Sequence, residues 1–277
     1  MTRKIPHALT IAGVDPSGGA GVLADIKAMS ALGAYGTAVI AALTAQNTLG
    51  VTGISPVPPE FVAQQIDTLF DDVPIDAVKI GMLGQKGVTR VVSERMLRWK
   101  PKHLVLDPVM IAKGGASLLE REAVSALREE LVPIASMITP NLPEAGVLLD
   151  ARPAETLKEM RQAAEKLRRL LGDDGERWVF LKGGHLPGDD TTDLLHDGDR
   201  MIELPGRRIH TPNTHGTGCT LSAALAALLP VCGSVPEAAE RAKAYLVAAI
   251  ARSGELQVGK GHGPVHHFHQ WWMSPDI

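Results

Sequence analysis

The chain has 277 residues, 45% hydrophobic, with 28 basic and 31 acidic side chains for a formal charge of −3; it is long enough to bury a real core and shows no basic footprint for nucleic acid. Aromatics at 4% are too few for base stacking, and two cysteines, Cys219 and Cys232, exclude a disulfide framework and suit a reducing compartment. Residues 1–7 lack an apolar signal region and no apolar run reaches about 18 residues, so a cytoplasmic chain with no membrane partner is expected.

Residues 8–12 form an apolar run that stops at Gly13 and read as a buried strand. A glycine-rich turn follows, then Val22, Leu23, Ile26, Met29 and Leu32 at helical spacing, closed by Gly33. Residues 37–43 read as a second strand, and Phe61, Val62, Ile66, Leu69 and Phe70 mark a helix. Strands over 77–80, 104–106, 137–139 and 178–181 alternate with helical patterns over 88–97 and 157–171. Residues 193–204, with Asp197-Gly198 in the middle, read as an antiparallel hairpin, and helices over 217–229 and 236–253 end the chain. Such alternation predicts an α/β fold with a mostly parallel central sheet and helices on both faces. No low-complexity linker or repeat interrupts it, so one domain over residues 1–277 is expected.

In open α/β sheets ligands bind beyond the carboxyl ends of the strands. Here those ends offer Gly13 and Asp15, Gln46, Gly81 and Met82, Asp107, Asn141 with Glu144, and Lys182-Gly183-Gly184. Gly19-x-Gly21-x-x-Ala24 imitates a dinucleotide fingerprint, yet residues 33–48 hold no Asp or Glu to take a ribose. Gly13-x-x-x-x-Gly18 lacks the Lys and Ser/Thr of a P-loop. The turn is either a tight strand-to-helix connection or a glycine lining for a flat ligand.

Asn213-Thr214-His215-Gly216-Thr217-Gly218-Cys219-Thr220 is the most informative segment. Glycines at a helix start leave N–H groups bare, and the helix end adds a partial positive charge, so the segment suits an anion. Cys219 falls in that first turn, where a thiol is expected to ionise more easily, although nearby phosphate charge opposes this. Asn141 with Glu144 three residues on reads locally as a capping box, with a magnesium carboxylate as the alternative. Lys182 is either a phosphate contact or a solvated surface lysine. His262, His266, His267 and His269 lack acidic or cysteine companions before Asp276 and read as packing or substrate-side lining rather than a metal site.

Together, Ala12-Gly13-Val14-Asp15-Pro16-Ser17-Gly18-Gly19-Ala20-Gly21, Ala45-Gln46-Asn47-Thr48, Lys79-Ile80-Gly81-Met82-Leu83, Thr139-Pro140-Asn141-Leu142-Pro143-Glu144, Lys182-Gly183-Gly184-His185, His215-Gly216-Thr217-Gly218-Cys219-Thr220 and the segment 258–266 resemble the hydroxymethylpyrimidine/phosphomethylpyrimidine kinases. This is the thiamine-pathway branch of the ribokinase-like fold. The likeness runs in order over residues 9–272. It implies two successive phosphorylations of 4-amino-5-hydroxymethyl-2-methylpyrimidine, with ATP and Mg²⁺ as co-reactants. It places the pyrimidine near Gly13, Ala20, Gln46, Met82 and Val109, the nucleotide near Asn141, Lys182 and Thr214, and the metal near Asp107 and Glu144. Gly216, Thr217, Gly218 and Cys219 would act on the transferring phosphoryl group, with Cys219 as general base where other ribokinase-like kinases carry Asp. Pyridoxal kinase and a non-catalytic pyrimidine-binding regulator are the competing expectations, and a homodimer is compatible with the chain.

Overall fold

A computed structural model of the chain describes residues 5–110 and 121–272. Six strands run parallel: β1 (His7–Val14), β2 (Tyr35–Asn47), β4 (Ala77–Ile80), β5 (His103–Leu106), β6 (Met137–Ile138) and β7 (Trp178–Leu181). An antiparallel strand, β3 (Gly50–Pro56), closes one edge, and a hairpin of β8 (Asp193–His196) and β9 (Met201–Leu204) closes the other. The order across the sheet is β3-β2-β1-β4-β5-β6-β7-β8-β9.

Both faces are covered, so the central strands are apolar throughout rather than alternating. Leu9, Ile11, Val78, Ile80, Leu104, Leu106 and Ile138 share one core cluster. That face is covered by α2 (Pro59–Asp72), α3 (Lys86–Trp99), α4 (Arg121–Ala126), α5 (Leu142–Leu149) and α6 (Leu157–Arg168). Ala8, Ala77, Val105, Met137 and Phe180 face the opposite way, against α1 (Gly21–Ala31), α7 (Thr217–Leu228) and α8 (Val235–Ala251). By the same alternation Thr10, Lys79 and Asp107 also face α1 and α7, and Lys79 pairs in register with Thr10 on β1. Polar groups are thus inserted into an otherwise alanine-rich layer.

Every strand and helix expected from the sequence is present, with shifted ends. β2 runs past Leu43 to Asn47, because its second half leaves β1 and pairs with β3 through a register shift at Ala45/Gln46. The sequence pattern did not reveal β3. Most of its residues are exposed, so it carries no apolar period. The helical stretch from Arg121 through Ile134 was also missed; it widens over Leu127–Leu131 and tightens over Val132–Ile134, which blurs a 3.6-residue repeat. The expected hairpin forms at Asp197-Gly198, where Asp197 Oδ1 accepts from the N–H of Asp199 and of Arg200.

Three of the four C-terminal histidines pack in the interior, whereas His262 is exposed. His266, His267 and His269 are buried, the Thr220 hydroxyl meets His267 Nε2 at 3.0 Å, and Tyr245 donates to the His267 carbonyl at 2.7 Å. No described helix is long and apolar enough to cross a membrane.

Leu9 is fully buried in the central strand on the face away from α7. Leu9→Ala is expected to cost about 2–5 kcal/mol of folding free energy through lost burial and a residual cavity. Urea unfolding of the variant against the parent measures it.

Candidate active site

Two loops meet at the carboxyl end of the sheet, and one carboxylate holds both. Asp15, just past β1, is buried. It accepts from the N–H and hydroxyl of Ser17, each at 2.9 Å, and from the Ala20 N–H at 3.0 Å. Its Oδ2 also lies 2.7 Å from Nε2 of His215, the residue before Gly216. Burial opposes charge on Asp15, but the bonds from His215 and Ser17 outweigh it and hold the carboxyl below its ordinary range. The two loops touch closely enough to require glycine. Gly216 has φ +76°, and a Cβ there would lie 1.8 Å from the Gly19 carbonyl oxygen. Steric space, beyond turn chemistry, therefore dictates both glycines.

Gly216 is the N-cap of α7, and no side chain caps that end. The first helical bond is donated by Thr220 to the Gly216 carbonyl at 2.8 Å, so the N–H groups of Thr217, Gly218 and Cys219 precede the helical ladder. These groups are partly exposed and point out of the helix start, as an anion site requires.

Beside this helix end lies a buried charge cluster. Asp107, past β5, is buried and accepts from Lys182 Nζ at 3.0 Å and from the Thr139 hydroxyl at 3.0 Å. Ser222 of α7 reaches the other Asp107 oxygen at 3.4 Å. Lys182 also lies 3.7 Å from Glu144. A Cβ on Gly218 would be 3.2 Å from Lys182 Nζ and 3.5 Å from Asp107, so α7 begins directly over the pair. Lys182 is not a solvated surface lysine: burial weakens its charge, but Asp107 and Glu144 more than restore it. Burial likewise opposes charge on Asp107, but Lys182 and Lys79 hold its carboxyl down.

Glu144 forms the capping box, and its carboxylate also faces Lys182. Its N–H donates to Asn141 Oδ1 at 2.8 Å, and its Oε2 accepts from the Asn141 N–H at 2.7 Å, a complete capping box at the start of α5. The same Oε2 faces Lys182. Burial pushes the carboxyl up to about 7, with Lys182 pulling against that and Asp107 adding to it. Two buried carboxylates thus share one ammonium at this corner, a donor set that fits a hard divalent cation.

Of the residues expected on the substrate side, Gly13, Gln46 and Met82 lie at or near the carboxyl ends of β1, β2 and β4. The Gly13 N–H donates to the Met82 carbonyl at 3.0 Å. Gln46 is half-buried and accepts from the Thr44 hydroxyl at 3.2 Å through Oε1, and its amide N–H groups have no protein partner among the described residues. Ala20 leads into α1 as its N-cap, and Val109 follows Asp107 in a short turn. Thr214 precedes His215 in the anion loop and is half-buried.

Cys219 corrects one expectation. Its thiol is pushed up to about 11 rather than down. Burial is the main cause; Lys79 opposes it, while Asp25 and Asp107 add to it. The helix end alone does not offset that burial. Sequence reasoning also passed over two structural partners, His215 and the buried pair Lys79–Asp25, which lie 2.7 Å apart. A visible signal did exist for Lys79, a charged residue inside the apolar run Ala77-Val78-Lys79-Ile80.

The family model described as phosphomethylpyrimidine kinase matches residues 15–266. The hydroxymethylpyrimidine/phosphomethylpyrimidine kinase of Salmonella typhimurium is 52% identical over 268 residues, covering 96% of this chain and 98% of that protein. Among solved structures, an ADP complex of Bacillus subtilis pyridoxal kinase superposes with a TM-score of 0.87 at 35% identity, over 96% of this chain and 99% of that one. The phosphomethylpyrimidine kinase of Clostridium difficile gives 0.78 at 38% identity, over 89% and 100%.

The Glu144 carboxyl carries about 7 in the folded protein against an ordinary 4.5. The folded state therefore binds this proton more tightly than the unfolded chain. Its contribution to stability is complete below pH 4.5 and is lost as pH rises through about 7. Glu144→Gln keeps a capping side chain and removes the charge. It should raise the melting temperature of the ligand-free protein at about pH 8 and change it little at about pH 4. Thermal unfolding across that range is the measurement, and a difference independent of pH would contradict the assignment.

Proposed function

The chain belongs to the phosphomethylpyrimidine kinase family and is a phosphotransferase, and from that premise we propose that this cleft moves the γ-phosphoryl group of ATP twice. The first acceptor is the hydroxymethyl group of 4-amino-5-hydroxymethyl-2-methylpyrimidine, and the second is the monophosphate so formed, yielding the diphosphate for thiamine biosynthesis. The observation that carries this reading is the uncapped start of α7 set directly over the Lys182–Asp107 pair.

Phosphoryl transfer asks for in-line placement and charge neutralisation more than for covalent chemistry. The N–H groups of Thr217, Gly218 and Cys219 are fixed donors for the transferring phosphoryl oxygens and need no reorganisation. Lys182 meets triphosphate oxygens as a point charge. Asn141 and Thr214 border the same corner and contact the nucleotide. Asp107 and Glu144 would hold Mg²⁺, which supplies charge neutralisation on the phosphates when bound. On the other side, the Gln46 amide pairs with the aminopyrimidine edge, and Gly13, Ala20, Met82 and Val109 line the ring.

In the first transfer Cys219, as thiolate, takes the hydroxymethyl proton. The freed oxygen pair bonds to the γ-phosphorus, the bond from that phosphorus to the bridging oxygen breaks, and ADP leaves. The second acceptor differs. A phosphate monoester has a second pKa near 6, so its oxygen is already anionic at neutral pH and needs no base.

Mass spectrometry of the products from the pyrimidine, ATP and Mg²⁺ tests the reading. Mono- then diphosphate is expected; phosphorylation of pyridoxal with none of the pyrimidine would move the chain to the neighbouring activity. In the same assay Cys219→Ala should lower turnover of the first transfer by about 10²–10⁴-fold, the usual worth of positioned proton transfer. Unchanged single-turnover chemistry would remove Cys219 from the base role. Gln46→Ala should raise KM for the pyrimidine by about 5–150-fold, or about 1–3 kcal/mol, and leave KM for ATP nearly unchanged. Equal weakening of both substrates would refute a substrate-specific role.

A further inference from the structure

Lys79 and Asp25 form a fully buried ion pair in a layer dominated by apolar side chains, many of them alanine. Lys79 Nζ meets Asp25 Oδ2 at 2.7 Å, and the Thr10 hydroxyl donates to the same oxygen at 2.6 Å. The pair is not saturated. Asp25 Oδ1 has no hydrogen-bond partner, and Lys79, with three N–H donors, has one carboxylate partner. A buried ion pair of this kind is weak evidence for stability, because well-packed apolar residues do as well or better. Nothing in the packing explains why two charges should sit here.

Position supplies the reason. Lys79 lies on β4 two residues before Gly81, on the face that packs against α7. Its ammonium rises to the end of the strand: a Cβ on Gly81 would be 2.6 Å from Lys79 Nζ and 3.1 Å from the Ala12 side chain. The charge therefore sits beside Ala12; the carbonyl of the next residue, Gly13, presses on Gly21, whose backbone N–H meets the Cys219 sulfur. Against burial, Asp25 foremost supports the Lys79 charge, and Cys219, once ionised, and Asp107 would add to that support. Seen from Cys219, Lys79 on β4 is the foremost influence favouring the thiolate; Asp25 on α1 and Asp107 after β5 act against it. Lys182, after β7, is also within reach of the Cys219 charge.

We propose that Lys79 is a positioning residue for the first transfer: Asp25 and Thr10 lock its ammonium near the α7 start, where it supports negative charge on Cys219 Sγ before that sulfur takes the hydroxymethyl proton. The inference rests on the base reading of Cys219. It makes Lys79 matter for the hydroxyl acceptor and far less for the monophosphate, whose oxygen needs no base. A defect in fold or in the anion site would slow both transfers alike.

The test reads the thiolate directly and then the two acceptors. In a Cys232→Ser background, the pH profile of Cys219 alkylation by iodoacetamide is measured for the parent, Lys79→Met and Asp25→Asn. The two substitutions are expected to move the midpoint in opposite directions: up by about one unit or more for Lys79→Met, which is about tenfold less thiolate at a given pH, and down for Asp25→Asn. Where Lys79→Met lowers the folded fraction seen by circular dichroism, Lys79→Met/Asp25→Asn strands no charge, and its midpoint should lie above that of Asp25→Asn alone. In single-turnover assays removal of Lys79 should slow transfer to the hydroxyl at least about tenfold more than transfer to the monophosphate. Midpoints that do not move, or equal slowing of both transfers, would overturn the proposal. Cys219→Ala run alongside separates the two readings. If it leaves hydroxyl transfer intact, the base assignment fails; if it slows that transfer while the Lys79 variants do not, the Lys79 inference alone fails.

Discussion

The contact between Asp15 and His215 sets the geometry on which the rest of the site depends. The two residues are 200 positions apart, yet the bond between them joins the turn after β1 to the loop before α7. In the proposed reading one loop belongs to the acceptor side and the other to the phosphoryl side. In-line transfer is sensitive to small errors in the distance between those halves. Here that distance is fixed by a buried carboxylate with four donors and by the direct contact of Gly19 with Gly216. A larger residue at either glycine would push the loops apart, whatever its chemistry.

Charge balance decides which groups around the α7 start keep their protons. Near it lie two ammonium groups, Lys79 and Lys182, and three carboxyls, Asp25, Asp107 and Glu144. Burial would neutralise each alone, and pairing keeps Lys79, Lys182 and Asp107 charged. Glu144 is left near neutrality at about 7, and Cys219 is held as a thiol at about 11. The ligand-free site thus sheds excess negative charge by keeping protons on the groups that the reaction would need ionised. A metal ion beside Glu144 favours its charged form, and the same local logic makes the positive charge nearest Cys219 the one that matters for the sulfur.

Much of this was legible in the sequence because parallel strands buried on both faces leave unmistakable apolar runs, and strand ends then point to the residues that follow. Asp107, Asn141 and Lys182 stand just past such runs, and the structure brings them to one corner. The β3 edge strand was not legible, since exposed on both faces it has no period to read. The partners of the site residues were hidden for a different reason. Asp15 with His215, and Lys79 with Asp25, are separated by 200 and 54 positions, and no local pattern encodes such pairings. Glu144 shows the limit most clearly. Its local pattern gave the capping box correctly and concealed that the same oxygen faces Lys182.

The composition of α7 ties these points together. Its residues after Ser222 are Ala223, Ala224, Leu225, Ala226, Ala227 and Leu228, all buried. Alanines contribute little apolar area, so they are a poor choice if burial alone were at stake. They do let the helix axis lie close to the sheet, and α7 packs on β1, β4 and β5 together. Close approach brings the helix start down toward Lys79 on β4 and Asp107 after β5, with Lys182 reaching over from the end of β7. It also lets Ser222, one turn in, reach Asp107. The small residues therefore belong to the chemistry as much as to the core. They bring the helix end near buried charge, and in the proposed reading its N–H groups, the ammoniums and the cysteine then act on the same few atoms.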